Sequence, residues 1–153
     1  NILLNYLTNP FSQKLSMPDF RSSAAGLHHF QAVKYLFHLA QAIFLVTLPA
    51  LIFFIQKVVK RGSLALYQRS LFILSVLPFV MICLAGLIGF NNFFTLFHQV
   101  LFVGDSTWLF DPAKDPVIWI LPEEFFMHAF ILFALLYEGI FLSLYFFSRK
   151  TRS

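Results

Sequence analysis

Residues 71–90 read LFILSVLPFVMICLAGLIGF, twenty positions without a charged side chain. At about 1.5 Å per residue, a helix of that length covers about 30 Å, the thickness of a bilayer's hydrocarbon core. Two more runs have the same character: residues 36–55, LFHLAQAIFLVTLPALIFFI, and residues 125–147, FFMHAFILFALLYEGIFLSLYFF. The composition agrees. Of 153 residues, 59% are hydrophobic, only 12% are charged and 22 are phenylalanine. Soluble domains carry about 25% charged residues, so this chain has too little charge to cover a water-facing surface. It is also too apolar to be disordered. The 11 Lys and Arg against 7 Asp and Glu do not line one face, which argues against a nucleic-acid partner. The expectation is an all-α integral membrane protein with three transmembrane helices. Pro49 and Pro78 fall near the middles of two of them, where a proline kinks a helix in lipid more often than it ends one.

Charge sets the expected topology. The link at residues 57–70 carries Lys57, Lys60, Arg61 and Arg69 without an acid, and the tail at 148–153 carries Arg149, Lys150 and Arg152. Both are assigned to the cytoplasm by the positive-inside rule. Residues 91–124, with Asp105, Asp111, Asp115, Glu123 and Glu124 against Lys114 alone, are then extracellular, as are residues 1–35. An exported segment beginning at Asn1 implies a further spanning helix ahead of it. Residues 22–39, SSAAGLHHFQAVKYLFHL, read as a helix capped by Ser22 or Ser23. In NNFFTLFHQVLF (91–102), Asn91, Thr95 and His98 fall at i, i+4 and i+7, one polar stripe on an otherwise apolar helix. That pattern suits a helix in the membrane interface with its polar seam toward protein. Trp108 and Trp119 suit the same depth, Asp111-Pro112 and Asp115-Pro116 start turns, and Pro122-Glu123-Glu124 opens a helix.

Few residues offer chemistry. One cysteine, Cys83, lies within a span and excludes an internal disulfide or a cysteine-based zinc site. Neither His-Glu-x-x-His nor Gly-x-Ser-x-Gly occurs, so no metal site or serine hydrolase is expected. His28, His29 and His98 fall on the extracellular side, where an imidazole can exchange a proton near neutral pH. A polar ring in so apolar a stretch costs about 1–3 kcal/mol unless it is paired, which favours a role for His29 and His98. His28 and His29 are adjacent and project about 100° apart on a helix, so they do not serve one atom. His38 and His128 read as packing or interface residues. Glu138 lies about 14 residues into the third span, where a carboxylate is a functional candidate or pairs with a polar atom such as Gln41 or Gln56. Glu138 and the two prolines would suit a non-enzymatic transporter subunit or assembly factor, the rival reading.

The run FHQVLFVGDSTWLFDPAKDPVIWILPEEFF, residues 97–126, with HFQAVKYLF, residues 29–37, resembles the lipoprotein intramolecular transacylase family of bacterial membrane proteins over about residues 5–147. The resemblance implies four spanning helices, the first missing here, in the bacterial plasma membrane with an active site toward the extracellular face. It implies an acyltransferase without cofactor or metal. The implied substrate is a diacylated lipoprotein, whose sn-2 acyl chain moves to the α-amino group of its N-terminal Cys, leaving an N-acyl lyso-lipoprotein. The implied catalytic pair maps to His29 and His98, with His98 as base and His29 as proton partner or the reverse. Lys34, Trp108, Asp111, Asp115 and Glu123 are supporting candidates, and membrane lipid is the other partner. Some family members carry Asp three residues after the first histidine. Ala32 stands here, which removes a His–Asp pairing at that place and leaves Asp111, Asp115 or Glu123 as candidate substitutes.

Overall fold

The computed structural model describes residues 2–150; Asn1 and residues 151–153, including the expected tail's Arg152, lie outside the described residues. The described residues form helices and turns and no strand. The main helices are α1 (Ile2–Thr8), α2 (Ala24–Phe54), α3 (Gln68–Ile88), α4 (Phe90–Leu101) and α5 (Glu123–Lys150). Three helical stretches, Ala24–Val59, Ser63–Ile88 and Glu123–Lys150, are long and apolar enough to cross a membrane. Their side chains are largely uncovered: Val46 is 79% exposed and Leu87 84%. Burying a leucine is worth about 1.5–3 kcal/mol, so lipid must cover this surface. Pro49 and Pro78 are accommodated inside α2 and α3.

The chain divides into two compact units, Asn1–Val46 with Thr95–Glu123, and Thr47–Phe94 with Glu124–Ser153. In the second, a π-helical turn at Ile55–Val59 and a 3₁₀ turn at Ser63–Tyr67 fold the basic link into a defined shape. Val58, Leu64 and Leu71 form its core against Phe141, Leu144 and Tyr145. Leu64 is wholly buried. Leu64→Ala is expected to destabilise the protein by about 2–4 kcal/mol, read as a lowered thermal-unfolding midpoint in detergent. A shift within error would mean that the link is not held by this core.

Gly89 separates α3 from α4 at φ +82°, ψ 145°, a region closed to residues with a Cβ. The first turns of α4 then pack phenylalanine on phenylalanine. Phe93 meets Phe130 edge-on at 5.7 Å, and Phe94 meets Phe126 at 5.4 Å. Part of the phenylalanine excess therefore builds helix–helix contact. The polar stripe on α4 is divided: Thr95 and His98 are half-buried, whereas Asn91 is exposed. Glu138 is buried, and neither of its carboxylate oxygens has a hydrogen-bond partner among the described residues. The amide of Gln41 is engaged elsewhere, with His38 Nδ1 (2.9 Å) and the Thr8 carbonyl (3.1 Å).

Candidate active site

His28, His29, His98 and the acids of the loop after α4 all belong to the first unit. Its core is Tyr6, Leu7, Phe30 and Val117, with Phe110, Val33 and Leu121 packed around them. Lys34 secures the N-terminal segment there, donating from Nζ to the Ser12 carbonyl and standing 4.5 Å from the centre of the Tyr6 ring. Sequence reasoning made Lys34 a candidate for the reaction; the contacts it makes tie down the chain around α1.

Residues of α2 and α4 bring two imidazoles together. His29 is 6% exposed, and its ring centroid is 5.9 Å from that of His98. Aromatic rings enclose the pair. Phe102 meets His29 edge-on at 4.9 Å, and Phe110 does so at 5.4 Å. Trp108 stacks on His98 at 4.8 Å and 28°. Such contacts set ring orientation and are worth about 0.5–1.5 kcal/mol each. His29 Nδ1 is buried and has no hydrogen-bond partner among the described residues, a costly arrangement for a ring nitrogen.

His28, one residue earlier, points elsewhere. It is exposed, with Nδ1 3.3 Å from Asp105 Oδ2 and 3.4 Å from Thr107 Oγ1. Asp105 holds the loop after α4. Its Oδ1 accepts the Thr107 N–H at 2.8 Å, and its carbonyl accepts Trp108 Nε1–H at 3.1 Å. Hydrogen bonding from Thr107 holds the Asp105 carboxyl below the usual carboxylate range. Beside it lies an open cleft of about 260 Å³, lined by Gln99, Phe102, Gly104, Asp105, Ser106, Trp108 and Leu109.

The three acids that are candidates to orient an imidazole stand as follows. Asp111 closes its own turn, accepting the Ala113 N–H at 3.0 Å and pairing with Lys114 at 3.2 Å. The Ala113 N–H, and after it Lys114, hold its carboxyl low. Glu123 is half-buried as the first residue of α5, where a carboxylate suits the helix dipole. Asp115 is 3% exposed and caps α2 from 92 residues away. Its Oδ1 accepts the Ser23 N–H at 2.6 Å, and its Oδ2 accepts the Ser23 hydroxyl at 2.7 Å. Ser23 Oγ in turn accepts the Gly26 N–H at 2.9 Å, which makes Ser23 the N-cap. In a capping box the fourth residue would be Glu or Gln reaching back to the cap. Here it is Gly26, because the remote carboxylate fills that space. A Cβ on Gly26 would lie 2.5 Å from Asp115 Oδ1 and 3.0 Å from Phe110 Cε1.

Sequence reasoning missed Asp105, Phe102 and Phe110. Asp105 was legible only as one of several loop acids, and the two rings only as part of the phenylalanine excess. Trp108 was singled out, but its stack on His98 depends on how the loop closes. No group of three or more His, Cys, Asp or Glu able to hold a metal ion occurs among the described residues.

No curated protein sequence matches this chain. A solved structure of the membrane integral lipoprotein intramolecular transacylase Lit from Bacillus cereus is similar, with a TM-score of 0.80 and 31% identity over 99% of this chain and 71% of that one. A structure of the Bacillus cereus protein with one histidine replaced by arginine gives 0.70 and 30% over 99% and 68%. The family model for lipoprotein intramolecular transacylase Lit matches residues 1–126. The chain belongs to the lipoprotein intramolecular transacylase family, membrane-integral acyltransferases.

Proposed function

We propose that this chain moves the sn-2 acyl chain of a diacylglyceryl lipoprotein onto the α-amine of its N-terminal Cys, at the extracellular face of the bacterial plasma membrane, with His29 and His98 as the catalytic pair. The single observation that carries the assignment of the pair is the approach of the two imidazoles to 5.9 Å inside an aromatic enclosure. The positive-inside reading of Lys57, Lys60, Arg61 and Arg69 supports the outward face.

The chemistry needs no activated donor. An N-terminal α-amine has a pKa near 8 and must lose a proton before attacking an ester. His98, neutral, takes that proton. The amine lone pair attacks the ester carbonyl carbon, and a tetrahedral intermediate forms. The bond from that carbon to the glyceryl oxygen then breaks, the departing oxygen takes a proton from the imidazolium, and the acylated nitrogen gives its surplus proton to the now neutral His98, which passes it to water. The acyl group is left on nitrogen as an amide and the glyceryl carbon carries a hydroxyl. His29 hydrogen-bonds the reacting oxygen or relays the proton. Nucleophile and ester belong to one molecule, so holding them in register supplies a large effective molarity. Membrane lipid surrounds the site and takes up the acyl chains.

The test is mass spectrometry of a reporter lipoprotein in cells expressing the protein. Conversion of the diacyl form to an N-acyl lyso-form is expected, and an unchanged reporter beside folded protein would refute the reading. In the same assay Trp108→Ala, which removes the ring stacked on His98, is expected to slow conversion about tenfold, near the upper end of what one aromatic contact is worth. An unaltered rate would show that the stack does not set the His98 orientation used in the reaction.

A further inference from the structure

The reaction proposed above needs more than a base. Its nucleophile arrives as a cation, because an α-amine with a pKa near 8 is largely protonated at neutral pH. It has to be held beside the histidines while an acyl chain tens of atoms long is accommodated in lipid. The histidine pair and its aromatic enclosure bring no negative charge to that task.

Asp105 has the position and the spare capacity to do so. It lines the open cleft together with Trp108, and the Trp108 ring lies against His98 at 4.8 Å. Its carboxylate also stands 3.3 Å from His28, the neighbour of His29. It is therefore linked to both histidine-bearing segments. The side chain is 24% exposed, so a ligand can reach it from the cleft. A carboxylate has about four acceptor positions. The Thr107 N–H takes one on Oδ1, the Thr107 hydroxyl takes another, and His28 approaches one on Oδ2, which leaves one for an incoming N⁺–H. Those contacts also fix the carboxylate in place, so holding a ligand costs little further ordering. Trp108 adds the face of an indole, the best aromatic partner for a cation.

We propose that Asp105 is the binding site for the α-ammonium group of the lipoprotein's N-terminal Cys, with the Trp108 indole beside it, and that it hands this group to the histidine pair. The inference rests on the transacylase reading, and it makes the free amine a recognition element as well as the nucleophile. Proton transfer to the histidine then releases the amine from the carboxylate at the moment it becomes nucleophilic.

The test separates recognition from chemistry. The probe is a dialkylglyceryl-Cys lipopeptide in which ethers replace the esters, so that no acyl transfer occurs. It is prepared with a free α-amine and, separately, with an N-acetylated one. Binding to the full chain in nanodiscs is expected to favour the free amine about tenfold, equivalent to about 1.4 kcal/mol. Asp105→Asn, which keeps the side chain's shape and an acceptor for Thr107, is expected to bind both probes alike. Asp105→Glu is expected to restore at least part of the preference, which a purely structural loop residue would not do. No preference in the wild-type protein, or a preference that survives Asp105→Asn, would overturn the proposal. If Asp105→Asn does not fold, the wild-type comparison and Asp105→Glu still decide it. Conversion of an ester-containing reporter by the wild type, beside a failed binding test, would refute the ammonium site and leave the transacylase reading standing. Absence of conversion would refute that reading instead.

Discussion

His98→Ala and His29→Ala are each expected to reduce reporter conversion, per amount of folded protein, by at least about a hundredfold. General acid–base catalysis is typically worth 10²–10⁴-fold. Without a base, less of the substrate amine is neutral, and the departing glyceryl oxygen loses its proton donor. The two losses should not add. Residues that act as one proton-handling unit show nearly the same defect singly and together, so His29→Ala/His98→Ala is expected to fall no further than the worse single variant. His29 is buried against Phe102 and Phe110, so His29→Ala also loses packing, and conversion is read per amount of folded protein. Activity above about a tenth of wild type in either variant would remove that histidine from the mechanism. Additive losses would show that the two act in separate steps.

Asp115→Ala carries the second large effect, through position rather than chemistry. The carboxylate holds both the N–H and the hydroxyl of Ser23, and Ser23 caps the helix that presents His29 six residues later. Losing a helix cap costs about 0.5–2 kcal/mol, and losing buried bonds to a charged group about 1.5–3 kcal/mol. The two overlap here, and a destabilisation of about 2–3 kcal/mol is expected, visible in thermal unfolding. Freed from Ser23, the segment around Asp115 also loosens Phe110, which packs edge-on against His29. Conversion should therefore fall more than the folded fraction does. Gly26→Ala attacks the same contact from the other side, since its methyl would push against Asp115 and Phe110. It should reproduce the defect in weaker form. Wild-type stability and activity in Asp115→Ala would show that this cap is dispensable.

These effects show how differently parts of the molecule can be read from the chain alone. The spans follow from composition, because lipid admits a backbone only when each helix satisfies its own hydrogen bonds and shows apolar side chains outward. Residues 71–90 announce that without help from any neighbour. Ser23 as a cap is equally local. Asp115 is not local: as a dipeptide with Pro116 it reads as a turn, and its partner is 92 residues away. The same holds for Asp105, one of several loop acids by sequence, which the loop brings against His28. Lys34 illustrates the reverse case, a charge conspicuous in the sequence whose contacts secure a chain segment.

What the sequence determined by itself is the solvent, the helical class and the two histidines worth watching, since hydrophobic length and residue chemistry are properties of short segments. Only the tertiary structure decided that His29 faces His98 while His28 faces Asp105, that Trp108 lies on His98, and that Asp115 reaches back to the start of α2. Those facts depend on where the loop after α4 closes. Loop closure is governed by contacts between residues far apart in the chain, for which periodicity and composition carry no signal.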